Sequence, residues 1–407
     1  MRNEMPSRPG AVESARDVEQ ALHFEMGGPA WRLMQRLGII RGAGPSVIRR
    51  SVCFILVAWV PLLLLAALQG NAIGPTPRSS LLLDFATYAR LFIAVPLVFA
   101  AEAVVGPRLL ASGLRLAKGE LVRPESRDRL AAVIARVRRR REWAVPEIGL
   151  AIFALTAAWF LTLEQLTGIG KREAGWAHDG TGFLPAGLWY HGVVVPLIQF
   201  FALRWIWRWI IWALFLRDVA KLRLNLLPTH TDMAGGLGFL GPAHVPMAIF
   251  PFAMSCIIAA DLAFRIQFEG LTLAGLQTLL PLAFAYLLFA EFLCFGPLLV
   301  LAPALAEARL AALRDYGMLV QHHNQLFHAK WIDGERPPGE SPLGNPDMSS
   351  LVDLGSSFMV VRQMNVVPLS RRQLLQVAVA AFVPGLPLLF LTLPVGDVAR
   401  LVLGIVR

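Results

Sequence analysis

The chain has 407 residues, 56% of them hydrophobic and only 16% charged, whereas soluble domains carry about 25% charged residues; a water-soluble globular fold is excluded. The formal net charge of +10 does not imply a nucleic-acid partner, because the arginines gather beside apolar blocks, above all from Arg138 to Arg141, where they suit loops facing anionic headgroups. Cys53, Cys256 and Cys294 all lie inside apolar blocks, which leaves no disulfide framework to read and points to small packing residues.

Residues 1–27 are polar and mixed in charge, which predicts a disordered start without a secretory leader. In the following PAWRLMQRLGIIRG, Leu33, Leu37 and Ile40 share one helical face. An interfacial amphipathic helix and a short packing helix both fit this stretch, which closes an N-terminal unit over 1–50.

Spans 1 and 2 are expected at about 51–69 and 81–105, within the unit 51–106. Each block approaches or exceeds the roughly 20 residues needed to cross about 30 Å of hydrocarbon. A basic segment over 107–145 reads as two helices split at Pro124. Spans 3 to 6 follow within 146–305, at about 147–166, 186–216, 243–265 and 275–304. The segment 306–372 is polar and contains the loop GERPPGESPLGNPD. Residues 373–407 are apolar but broken by Pro384, Pro387 and Pro394; a seventh span, a re-entrant hairpin and a kinked interfacial helix all fit them.

The expected fold class is therefore all-α, a polytopic transmembrane bundle of six to seven spans with helical cytoplasmic segments. Arg and Lys are concentrated in the N-terminal flank and after spans 2, 4 and 6, so the positive-inside rule places the N-terminus in the cytoplasm. The expected partners are the lipid bilayer and anionic headgroups. A homo-oligomer is left open, and no inverted repeat of the transporter kind is visible.

Ionisable residues inside the spans form two layers. Asp84, Arg90, Glu164, Asp261 and the polar Gln277 lie in the outer half; Glu102, Arg204, Arg208 and Glu291 lie from the centre inward. At the bilayer centre such a group costs at least about 2.5–3.5 kcal/mol, so partners are expected. Arg204 and Arg208, four apart on one face, should pair with Glu102 and Glu291, and Arg90 with Asp261. A polar pathway and a set of packed ion pairs both fit these charges. Trp205, Trp209 and Trp212 follow helical spacing beside the arginines and read as interfacial anchors.

The connector PTHTDMAGGLGFLG carries His230 and Asp232, which are weak metal candidates or a proton-transfer pair. Its Gly235, Gly236 and Gly238 permit tight turns. Two ligands fall short of the four of a structural zinc site, so the competing expectation is a folded turn organised by Asp232. No P-loop, dinucleotide fingerprint or nucleophile elbow appears, and no cofactor is implied.

The order of YARLFIAVPLVFAAE, RWIWRWIIWALFLRD, LNLLPTHTDMAGGLGFLG, DYGMLVQHHNQLFHAKW and DMSSLVDLGSSFMVVRQMNVVPLSRR resembles an uncharacterised family of bacterial multi-pass inner-membrane proteins. The shared signature is P-x-H-x-D-x-x-G-G-L-G-F-L, and relatives tend to have Pro and Arg where Thr231 and Met233 stand. The resemblance implies a bacterial inner-membrane location and no activity. Three functions remain as expectations. The first is a permease or channel-like protein using the buried charges. The second is a scaffold or sensor docking through Leu351, Leu354, Phe358 and Val361. The third is a membrane enzyme using His230 and Asp232.

Overall fold

The computed structural model describes residues 17–24, 26–41, 46–118, 121–160, 174–179, 182–334, 337, 339–341 and 344–392. Among them there is no strand, only two isolated bridges, Val122 with Leu224 and His178 with Phe183. The main helices are α1 (Pro29–Arg36), α2 (Val47–Leu68), α3 (Val95–Lys118), α4 (Arg127–Glu142), α5 (Ala144–Phe160) and α6 (Val195–Ala220). They are followed by α7 (Ile249–Glu269), α8 (Leu280–Phe295), α9 (Ala302–Trp331), α10 (Pro346–Gln363) and α11 (Arg371–Phe382).

Six helical stretches are long and apolar enough to cross a membrane: Val47–Leu68, Phe85–Ala117, Pro185–Ala220, Leu240–Glu269, Leu280–Trp331 and Arg371–Leu391. Helix α5 adds 17 mostly apolar residues up to the limit of the described segment; Glu164 lies outside the described residues. Helix α2 shows why these faces need lipid. Phe54, Ala58, Leu62 and Ala66 form its buried stripe. Val52, Leu56, Val60 and Leu64, turned about 200° away, are equally apolar and exposed. A helix apolar all round belongs in a membrane. The chain is a multi-pass membrane protein.

Two spans carry one widened turn each, Ala89–Ala94 before Pro96 and Tyr190–Val194 before Pro196. Proline has no N–H for the preceding turn and its ring crowds the carbonyl four residues back; a π-turn relieves both. The two wide turns face one another, with Arg90 Nη1 donating to the Tyr190 hydroxyl at 2.7 Å. Just outside, Asp84 accepts from Thr87 N at 3.2 Å and from Trp176 Nε1 at 3.0 Å, tying the loop 174–179 to the start of the second span.

At the opposite, arginine-rich end, α4 and α5 run along α6, and the connector 222–239 bends back into α7. The stretch Leu280–Trp331 has 52 residues, about 78 Å of helix, so α9 projects well beyond the hydrocarbon. Helix α10 folds back on α9. Their junction is pinned by Lys330, whose Nζ lies 2.7 Å from both Glu340 and Asp347.

Three expectations change here. Residues 17–24 are not a disordered tail: Leu22 and Phe24 are buried, and Phe24 packs edge-on to Trp212 at 5.0 Å. Helix α1 buries Trp31 and Met34, with Ile40 following, while Leu33 and Leu37 are exposed; this is the packing helix, turned from its expected face. Trp205 and Trp212 are core residues, not surface anchors, because their indoles donate to Val98 O and His244 Nε2 at 3.1 and 2.8 Å. The C-terminal segment begins as an apolar helix over Arg371–Leu391 packed on α7 and α8, and residues 393–407 lie outside the described residues.

Phe24→Ala should lower the protein's stability by about 3–5 kcal/mol, read as a drop in melting temperature in detergent. Leu33→Ala should change it by no more than about 0.5 kcal/mol. Equal melting temperatures for both variants would contradict the packing described.

Candidate functional site

Arg204 lies 19 residues after Pro185, where its helical stretch begins. That is about 29 Å of helix, close to the hydrocarbon thickness, so its guanidinium sits at the arginine-rich boundary of the bundle. The network around it joins four helices. Arg204 Nη1 donates to Glu102 Oε1 at 3.1 Å, and its Nε to Glu147 Oε1 at 3.3 Å. Arg208 Nη2 donates to the same Glu147 oxygen at 2.8 Å. Arg50, at the start of α2, holds Glu102 with both terminal nitrogens, and its guanidinium lies 4.4 Å from the Phe99 ring centroid. All five side chains are only 1–2% exposed.

Among the described residues this cluster brings three guanidiniums to two carboxylates. Backbone carbonyls supply the remaining acceptors. Gly27 O accepts from Arg204 at 3.1 Å and from Arg208 at 2.6 Å, and Arg141 O accepts from Arg208 at 3.1 Å. In return, Ala30 N donates to Glu147 Oε2 at 3.0 Å. Residues 17–24 and 26–41 are therefore a strap laid across the network. Arg141 fastens it further by donating to the carbonyls of Gln20 and His23. Gly27 and Gly28 make this approach feasible. Their φ angles are +86° and +84°, the left-handed region open to glycine. A Cβ on Gly28 would come within 2.5 Å of Glu147 Oε1.

Of the charges expected to meet, Arg204, Arg208 and Glu102 come together, whereas Glu291 does not join them. Its place is taken by Glu147, because α5 packs along the face of α6 that carries Arg204 and Arg208. Helix α8 instead meets α6 through Trp209, whose ring lies 6.0 Å from Phe292, about 100° around the helix from Arg208. Glu291 Oε2 is buried and accepts no hydrogen bond among the described residues. Arg90 and Asp261, the other expected pair, each have a contact of their own. Arg90 takes Tyr190, and Asp261 accepts from Arg265 on its own helix at 2.8 Å, the usual i,i+4 neighbour.

Sequence reasoning missed Arg50, Glu147, Gly27 and Gly28. The one available signal was the Gly-Gly-Pro entry to α1, in a stretch whose polarity read as disorder.

The second candidate, the connector loop, folds around Asp232. Its carboxylate accepts from Ala234 N at 2.9 Å, Gly236 N at 3.1 Å and Gly238 N at 2.8 Å. The imidazole Nδ1 of His230 stands 2.9 Å from Oδ1. Burial alone would raise the carboxyl's pKa, but the three N–H donors and His230 outweigh it and hold Asp232 below the ordinary value. Gly235 and Gly236 take φ of +63° and +95°, and a Cβ on Gly238 would lie 2.7 Å from that of Asp232. Asp232 is thus a staple for the turn. No group of three His, Cys, Asp or Glu side chains among the described residues is placed to hold a metal. His323 instead contacts Ser350 Oγ at 3.3 Å. The expected docking face of α10 is also occupied: Val361 is buried and Leu351, Leu354 and Phe358 are half-buried, because α10 packs on α9.

Glu147→Gln should destabilise the protein by about 3–5 kcal/mol, since it strips two buried guanidiniums of a shared counter-charge. Glu291→Gln, which breaks no pair, should stay within about 1 kcal/mol; melting curves of the two variants decide this. Asp232→Asn should cost about 1–3 kcal/mol at neutral pH. A depressed carboxyl pKa contributes stability above its unfolded value of about 3.9 and loses it as pH falls through the folded value. The gap between wild type and Asp232→Asn should therefore begin to shrink as pH falls below about 3.9. A gap of constant size from pH 7 to pH 3 would show that the charge of Asp232 is not what stabilises the loop.

Comparison with family models, with curated proteins and with solved structures gave no match, so the functional reading rests on this geometry.

Proposed function

We propose that the chain is a permease or channel-like protein of the bacterial inner membrane, with the arginine-rich end in the cytoplasm and the Glu102–Arg204–Glu147–Arg208 network as its closed cytoplasmic gate. The orientation rests on the positive-inside rule, applied to Arg138–Arg141, Arg217, Lys221 and Arg223. One observation carries the gate: five ionisable side chains from four helices meet at the membrane boundary, 1–2% exposed, under a strap that joins them mainly through backbone carbonyls. As a purely structural device this is poor, because well-packed apolar residues of similar volume are often as stable as a buried ion-pair cluster. As a switch it is effective, since moving the strap exposes the arginines to water.

Three arginines line the network. Pores lined with arginine pass anions, so the substrate class is a small anion or an anionic polar solute. The widened turns at Ala89–Ala94 and Tyr190–Val194, and the 3-10 break at Gly296–Leu301, give the spans irregular points of the kind found at functional hinges.

The test combines flux with accessibility. In liposomes, the wild-type protein should pass chloride, nitrate or phosphate slowly, and a variant lacking residues 2–28 should pass at least one of them about tenfold faster, as expected when a closed state of a few kcal/mol is removed. In a background without Cys53, Cys256 and Cys294, a single cysteine at Arg204 should be protected from a membrane-impermeant thiol reagent in the full chain and labelled in the strap-deleted one. No flux in either protein, together with protection in both, would rule out the gate.

A further inference from the structure

Helix α4 has two working faces. One packs on α6 through the fully buried Val133 and Val137, with Arg136 and Arg140 on Asp218 at 3.4 and 3.0 Å. The other lines an open groove of about 930 Å³ between α4 and the strap residues Asp17, Val18 and Ala21. This second face is one continuous helical stripe. Arg127 stands at one end, Arg138 and Arg139 stand at the other, and Leu130, Ala131, Ile134 and Ala135 lie between. Ala131 and Ala135 are exposed and small enough to let a second helix approach closely.

The charges on the rim are unbalanced. Glu142 is already engaged by Arg141 at 3.1 Å and Arg32 at 3.3 Å. Among the described residues no ion pair holds Arg127, Arg138 or Arg139. Among the described lining residues, three guanidiniums outside any ion pair thus stand against Asp17, the one carboxylate not already engaged.

Geometry separates the occupants. Arg138 and Arg139 lie just before Trp143 and the membrane-entering α5, whereas Arg127 is eleven residues back along α4, about 16 Å farther from the bilayer. A lipid whose headgroup met the first pair would not reach Arg127 or the apolar floor. A helix lying along the stripe reaches all of them, and about three turns span the two cationic ends. A second copy of this chain carries a net charge of +10 and is repelled by the arginines of the rim.

We propose that this groove docks an acidic amphipathic helix of a soluble cytoplasmic protein, with carboxylates in its first and last turns and an apolar seam between them. The proposal shares with the gate reading only the cytoplasmic placement of this end, and its test needs no solute movement.

The full chain would be placed in nanodiscs of phosphatidylcholine. The probe is a fluorescein-labelled 16-residue helical peptide with glutamates in its terminal turns and an Ala/Leu seam. Saturable binding by anisotropy is expected, about tenfold weaker with Arg138→Gln/Arg139→Gln, about threefold weaker with Arg127→Gln, and unchanged with Arg314→Gln on α9. Ala131→Glu should abolish it. The exposed positions make misfolding easy to detect by gel filtration and melting. Absence of saturable binding, equal binding of the glutamine-substituted peptide, or indifference to the Arg127, Arg138 and Arg139 changes would overturn the proposal. Displacement of the peptide by phosphatidylglycerol in the nanodisc would overturn it in favour of a lipid site.

Discussion

Arg204 and Arg208 are buried inside the bundle, each 2% exposed, where an unpaired charge is costly, and neither can shed its proton to escape. They must be met by carboxylates held within a few ångströms, and that requirement organises the arginine-rich end of the protein. Glu147 is shared between both arginines, which fixes the register of α5 on α6. Glu102 is shared between Arg204 and Arg50, which fixes α3 and the start of α2. Backbone carbonyls add further acceptors for Arg204 and Arg208. Only a segment with glycine at positions 27 and 28 can come close enough without a Cβ striking Glu142 or Glu147.

The opposite end is held by different means. Asp84 anchors Trp176, and Arg90 reaches the Tyr190 hydroxyl across two proline-induced wide turns. Asp84 also accepts from Thr87, and Arg78 reaches Glu269 at the end of α7 at 3.1 Å.

The connector loop shows how a chemistry-like motif can be structural. An H-x-D pair beside three glycines resembles a ligand set or a proton relay, yet the carboxylate of Asp232 is filled by three amide N–H groups and an imidazole. The loop then serves as a platform: Asn365 N donates to Met233 O at 2.7 Å, joining the connector between α6 and α7 to the segment that returns from α10 into α11.

Hydropathy and the placement of arginine were enough to establish the class of fold and nearly all the spans. The reason is physical: a membrane-crossing helix must satisfy its backbone internally and present apolar side chains over a fixed length, which is a property of local sequence. The i,i+4 spacing of Arg204 and Arg208 likewise announced a shared face, and Glu102 could be named as a partner from its depth. The choice of Glu147 over Glu291 could not be read, because both carboxylates lie in apolar spans at plausible depths, and only the packing of α5 and α8 against different faces of α6 separates them. The strap was illegible for a related reason. Its residues are polar and glycine-rich, and its order comes from carbonyls that accept from distant arginines, a contact that leaves no periodic trace in the chain.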